Sequence, residues 1–248
     1  MWPVLRAILG VLVLAAGGSA VYGQAITIVP YYESKEAPGY YHFNPVSGPD
    51  TERDQMLLDG SFFSGLGGPV LIESVAFRLD KNATTTSASF SDIQIRLSTA
   101  TTTVSSMSTT LADNVGSDVM TVYSGPATLA SPGGAGSPSA FDILIPFLTP
   151  FAYDPLAGDF LFDWEWTGNF SNNNFILDTN YSNAAPYTGA INFMEDSQPT
   201  DGLADYTYPG VSVIAQFAVT PVNPEPSAVL LAFLGLLFLP LRRRSAAV

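Results

Sequence analysis

Apolar and polar side chains alternate with a period of two through most of the middle of the chain. In 90–98 (FSDIQIRLS), Ile93, Ile95 and Leu97 fall on one face and Asp92, Gln94 and Arg96 on the other. In 141–147 (FDILIPF), Phe141, Ile143, Ile145 and Phe147 align. In 159–167 (DFLFDWEWT), Phe160, Phe162, Trp164 and Trp166 share a face opposite Leu161, Asp163 and Glu165. In 211–219 (VSVIAQFAV), Val211, Val213, Ala215, Phe217 and Val219 align. Segments 70–79, 119–123, 175–178 and 190–194 are further strand candidates, and strand-like sequence begins at Ile26. One apolar and one polar face is the pattern of half-buried antiparallel strands. The face carrying Phe160, Phe162, Trp164 and Trp166 is expected to lie buried between sheets. No amphipathic run of helical spacing interrupts these segments, so strand–helix alternation is not expected. Eight or more short strands joined by Gly, Pro, Asn and Asp turns predict an all-β, antiparallel β-sandwich, jelly-roll-like. Two connections stand out: 131–139 (SPGGAGSPS) as an exposed loop, and 153–159 (YDPLAGD) as a tight turn into the aromatic strand.

The two ends break this pattern. Residues 1–6 are short and basic, residues 7–16 (AILGVLVLAA) are uninterrupted apolar, and small residues follow. That order is a secretory signal, with cleavage expected after Ala20, Gly23 or Ala25. Ten helical residues cover about 15 Å, half of a ~30 Å bilayer core, so a removed signal fits better than a permanent span. At the other end Pro224, Glu225 and Pro226 precede an uncharged apolar segment, 227–241, and then Arg242, Arg243 and Arg244. The segment predicts a transmembrane helix of about 22 Å whose arginines can snorkel to make up length. Arginines stay cytoplasmic, which places the body of the protein on the far side of the inner membrane, as the signal does. The domains expected are therefore a signal peptide over 1–25, a β-sandwich over 26–222 and a tail over 223–248.

Pro-Glu-Pro, a short apolar helix and an arginine cluster at the carboxyl end resemble the PEP-CTERM sorting signal of Gram-negative bacteria. The resemblance covers residues 223–244. It implies export, a transient inner-membrane intermediate held by the tail, processing by an exosortase near Pro224, Glu225 and Pro226, and release or attachment at the cell surface or outside the cell. It further implies an association with extracellular polysaccharide. The tail has the logic of other cleaved apolar anchors: a recognition site, a hydrophobic stretch and its eventual loss. Pro240, late in the apolar helix, is the one departure. The order of 93–99 (IQIRLST), 112–114 (ADN), Ser124-Gly125, 147–155 (FLTPFAYDP) and the strand after Gly158 resembles a β-sandwich body that recurs with this tail. That body implies no known activity.

Composition narrows the function. The chain has 248 residues, 12% of them charged, and a net charge of −13. Five basic and 21 acidic residues fall within 26–222, which leaves that domain at −16. Such a surface repels phosphate backbones, so no nucleic acid is expected as a partner. There is no cysteine and one histidine, His42. Disulfides, thiolate–zinc sites and thiol nucleophiles are excluded, and a serine triad would need His42 without any G-x-S-x-G elbow. The reading assigns no catalytic residue, metal or cofactor: a non-catalytic surface or matrix protein.

Several clusters remain as candidate chemistry. Asp163 and Glu165 sit two residues apart on one strand face and read as a solvated outer sheet face; the alternative is a glycan hydrolase, whose chemistry the spacing is compatible with. Residues 113–118 (DNVGSD) form an oxygen-rich turn of the kind calcium accepts, although no EF-hand glutamate follows. Asp50, Glu52, Asp54 and Asp59, with Arg53 among them, read as solvated surface. Tyr31, Tyr32, Tyr40 and Tyr41 around His42 could stack on sugar rings, which would make the domain a carbohydrate-binding module. The hydroxyl-rich stretches 84–87 and 98–110 read as exposed strand and loop, open to O-linked sugar.

Overall fold

The computed structural model describes residues 25–29, for which only the backbone is considered, and 51–132, 138–168, 175–180, 191–196 and 201–222. Among the described residues there are twelve strands: β1 (Ala25–Val29), β2 (Thr51–Leu58), β3 (Val70–Phe77), β4 (Ser87–Thr99), β5 (Met120–Ala130), β6 (Ile143–Tyr153), β7 (Phe160–Thr167), β8 (Thr179–Asn180), β9 (Ile191–Asp196), β10 (Tyr206–Pro209), β11 (Ser212–Val213) and β12 (Ala215–Pro221). They form a four-stranded sheet in the order β1-β12-β3-β6, a six-stranded sheet in the order β10-β9-β2-β7-β4-β5, and a small β11-β8 pair. Every strand pair is antiparallel. Among the described residues the helical elements are short 3-10 segments at Gly60–Leu66, Val104–Ser106 and Leu111–Asn114. None of the described helices is long and apolar enough to cross a membrane. The expected signal helix and transmembrane helix fall outside the described residues.

The two larger sheets share one core. Phe160, Phe162, Trp164 and Trp166 of β7 are all buried, as their period-two spacing requires. Across the layer, Phe77 of β3 lies 5.1 Å from Trp164 and 6.3 Å from Phe162, ring centre to ring centre, and Phe217 of β12 meets Phe160 edge-on at 5.4 Å. Trp164 and Trp166 meet edge to face at 4.8 Å. Edge-to-face pairs place the positive rim of one ring over the negative face of another and add to the area that they bury.

The expected strands are present with three adjustments. Segment 211–219 is split, because Ile214, also buried, separates β11 from β12 and its N–H goes to Asp178. Segment 175–178 contributes one bridge, Leu79 to Leu177, before β8. The strand expected over 141–147 continues as β6 to Tyr153. Its Pro146 and Pro150 are exposed on the outer strand of its sheet, where a missing N–H breaks no ladder and discourages pairing with another chain. The turn after it forms as expected: the Ala157 N–H bonds the Asp154 carbonyl at 3.0 Å, and the Asp154 carboxylate takes the Leu156 N–H at 3.0 Å. The expected loop 131–139 is only partly described. Its first residue is not exposed: Ser131 is buried and donates to Asp142 at 2.9 Å.

Residues 100–119 correct a second expectation. In this hydroxyl-rich stretch Thr101, Thr103, Ser105, Ser106 and Thr109 are exposed as expected, but the segment does not stand off from the body. It folds back over the outer face of the six-stranded sheet, where Val104, Met107 and Leu111 build a second apolar cluster with Leu57, Leu161 and Met194. Asn114, fully buried, anchors it: its amide N–H2 donates to Gln55 at 2.9 Å and to the Ser108 carbonyl at 2.8 Å, while its Oδ1 accepts from Thr102 and Ser108. Gly116 is needed for the approach, because a Cβ there would sit 1.8 Å from the Thr99 carbonyl oxygen.

Candidate functional site

Polar and charged groups collect on both faces of the six-stranded sheet, at the end where β2, β7 and β9 run side by side. On the outer face, Arg53 grips Asp163 through Nε at 3.0 Å and Nη2 at 2.6 Å. Arg96 bridges Asp163 at 3.2 Å and Glu165 at 3.0 Å, and Gln55 donates to Asp163 at 3.0 Å. The carboxylate pair expected on a solvated face divides: Asp163 is 1% exposed, while the Glu165 side chain keeps 34% exposure. Two guanidinium groups reach Asp163, and charge-assisted, bidentate contacts of this kind fix geometry.

The inner face carries a row that the sequence did not announce. Strand register places Tyr206 of β10 beside Glu195 of β9, Glu195 beside Asp54 of β2, and Asp54 beside Trp164 of β7. One step along, Glu52 stands beside Trp166. The acidic cluster read as solvated surface thus divides. Glu52 and Asp54 are 7% and 1% exposed on the core-facing side of a central strand, while Asp59 accepts the Ser61 N–H at 2.8 Å and caps the Gly60–Leu66 segment. The reason is topological: β2 is a central strand, its inner face packs toward the other main sheet and its outer face lies under the 100–119 segment. Asp50 lies outside the described residues.

The inner carboxyls have few partners. Trp164 donates its indole N–H to Asp54 Oδ2 at 3.1 Å, whereas Asp54 Oδ1 and the Trp166 indole N–H have no hydrogen-bond partner among the described residues. Burial, then Glu195, pushes the Glu52 carboxyl up to about 8. Burial, then Glu52 and Glu195, raises Asp54 against the pull of the Trp164 hydrogen bond. Burial and Asp205 raise Glu195, partly offset by a hydrogen bond from Tyr208. Desolvation and like charge both favour the neutral acid. Strongly shifted groups gathered in one place mark a candidate functional site. Beside them, at the edge of the sheet, the rings of Tyr206 and Tyr208 are near-parallel, 6.1 Å apart and inclined by 23°.

The other candidates separate. In 113–118, Asp118 accepts the Thr99 N–H on both carboxylate oxygens and Asn114 is the buried anchor, so this turn ties the fold-back together. Among the described residues no group of three or more acidic or histidine side chains is arranged to hold a metal ion. Tyr31, Tyr32, Tyr40, Tyr41 and His42 lie outside the described residues, as do Pro224, Glu225, Pro226, Arg242, Arg243 and Arg244. No protein-family model, no characterised protein and no solved structure matches the chain.

Proposed function

We propose that the chain is an exported, non-catalytic surface or extracellular-matrix protein, delivered by its carboxyl-terminal tail and associated with exopolysaccharide. The observation that carries this reading is the ordered tail itself: Pro224, Glu225 and Pro226, an uncharged apolar segment, then Arg242, Arg243 and Arg244, paired with an amino-terminal export signal. An exosortase is the processing partner, and the inner membrane is a transient location. The body is a jelly-roll-like β-sandwich flanked by the signal helix and the transmembrane helix. Its support is the passage of the chain between the two main sheets, from β2 to β3, β3 to β4, β5 to β6 and β6 to β7. The contacts of Arg53 and Arg96 with Asp163 and Glu165, which tie β2, β4 and β7 together, support a structural role for the acid pair. Glu225→Ala tests the sorting reading. Export should proceed while processing stops, and full-length protein should accumulate in the inner membrane; normal processing of this variant would count against it.

A carbohydrate-binding role is the second reading, favoured by Tyr206 and Tyr208. Tyr206 is 55% exposed, and the pair flanks Glu195, so an aromatic face lies next to a hydrogen-bonding carboxyl as sugar recognition requires. Glycan-array binding that is lost in Tyr206→Ala would establish it. An array without any signal would leave the matrix reading alone.

A further inference from the structure

We propose that Glu52, Asp54 and Glu195 form an acid-locked latch that holds the β9–β10 edge against β2 while the three carboxyls are protonated and loosens that edge when they become charged. The inference concerns the body of the protein and is independent of how the tail is processed.

Its basis is a geometry without a counter-charge among the described residues. The three carboxyls sit on one face of adjacent strands, with Asp54 directly beside Glu195 and Glu52 two residues along β2. Among the described residues their neighbours bring no cation. On β2, Arg53 points to the opposite face and is bound to Asp163. On β7, the groups on this face are the neutral indoles of Trp164 and Trp166, while Asp163 and Glu165 lie behind. On β4, the same face carries Ile93 and Ile95, with Arg96 turned to Asp163 and Glu165. On β9, Asp196 is in register with Arg53 on the other side. On β10, Tyr206 and Tyr208 face the row, and Asp205 just before them adds negative charge near Glu195. From the facing sheet Phe77 covers Trp164, and Arg78 at the end of β3 is closed on Asp178. Lys81 belongs to the turn that follows, where the Ala83 N–H bonds the Asp80 carbonyl.

Buried carboxylates without a cation are costly, and three together repel one another. The elevated proton affinities agree: Glu52 is pushed up to about 8 by burial and Glu195, and Asp54 and Glu195 shift in the same direction. Glu52 therefore binds more proton in the folded than in the unfolded chain between about pH 4.5 and pH 8, and Asp54 and Glu195 act in the same direction. Stability from this row is present in full at the acid end and lost as pH rises through the folded value. The part that yields is the edge, because β10 has four residues and a single neighbour, whereas β2 is held on both sides.

The test is hydrogen exchange on the purified full-length chain at pH 5.5 and pH 9, with rates divided by the intrinsic rate at each pH. The amides of Ile191–Asp196 and those of Tyr206, Thr207 and Tyr208 should lose protection by about tenfold or more at pH 9, while those of Val70–Phe77 hold theirs. In the chain carrying Glu52→Gln, Asp54→Asn and Glu195→Gln together, the difference should vanish. Equal protection of the edge at both pH values, or the same loss in the triple variant, overturns the proposal. Should the triple variant not fold, the unmodified chain decides alone. Its thermal midpoint must fall by on the order of 5 °C from pH 5.5 to pH 9, and a flat or rising profile refutes the latch.

Discussion

Arg53 of β2 reaches diagonally across to Asp163 of β7 in a two-point contact, at 3.0 and 2.6 Å, with the carboxylate almost wholly removed from water. The pair is worth little as a gain over two apolar residues, since both charges had to be desolvated. Breaking it is another matter, because the survivor keeps its burial and loses its partner. Arg53→Met should cost about 2–3 kcal/mol, below the usual range for a fully buried pair because Arg96 and Gln55 still reach Asp163 and Arg53 is itself part-exposed. Urea titration of the variant checks this, and a loss under 0.5 kcal/mol would mean that Arg96 alone suffices.

The indoles of Trp164 and Trp166 should behave as core. Each is nearly inaccessible and they touch edge to face. Either truncation to Ala should remove about 3–5 kcal/mol. Trp164→Ala should be the worse of the two, since it also strips Asp54 of its donor. Unchanged thermal stability in both variants would contradict the face assignment and make the pair an exposed platform.

The fold-back over 100–119 should detach as a unit. Gly116→Ala forces a Cβ into the Thr99 carbonyl, and Asn114→Ala unties Gln55, Thr102 and Ser108 together. Both variants should become sensitive to limited proteolysis within this segment, with a stability loss of about 2 kcal/mol or more. Resistance equal to that of the unmodified chain would show that the apolar cluster around Leu111 holds the segment without them.

The sequence made some elements legible and hid others for identifiable physical reasons. β7 was readable because its buried positions are all aromatic and its other face is polar through Asp163 and Glu165. β2 was not, because Glu52 and Asp54 occupy inward positions where the pattern calls for apolar side chains, so a buried strand has the text of a surface cluster. β10 is four residues long, too short to show a period. The role of Asn114 depends on Gln55, 59 residues earlier, and no local motif encodes such a contact. The carboxyl row across β2 and β9 is hidden for the same reason: its members are brought together only by strand register. The tail is the reverse case, since its chemistry is local and reads directly from the order of its residues.

The central claim, that 224–244 is a transient address, is tested most directly by mass spectrometry of the carboxyl end of mature surface protein from the native, processing-competent host. The account predicts a terminus near Pro224, Glu225 and Pro226, with the apolar segment and Arg242, Arg243 and Arg244 gone. Mature protein that still carries those three arginines would contradict it and leave a plain membrane anchor.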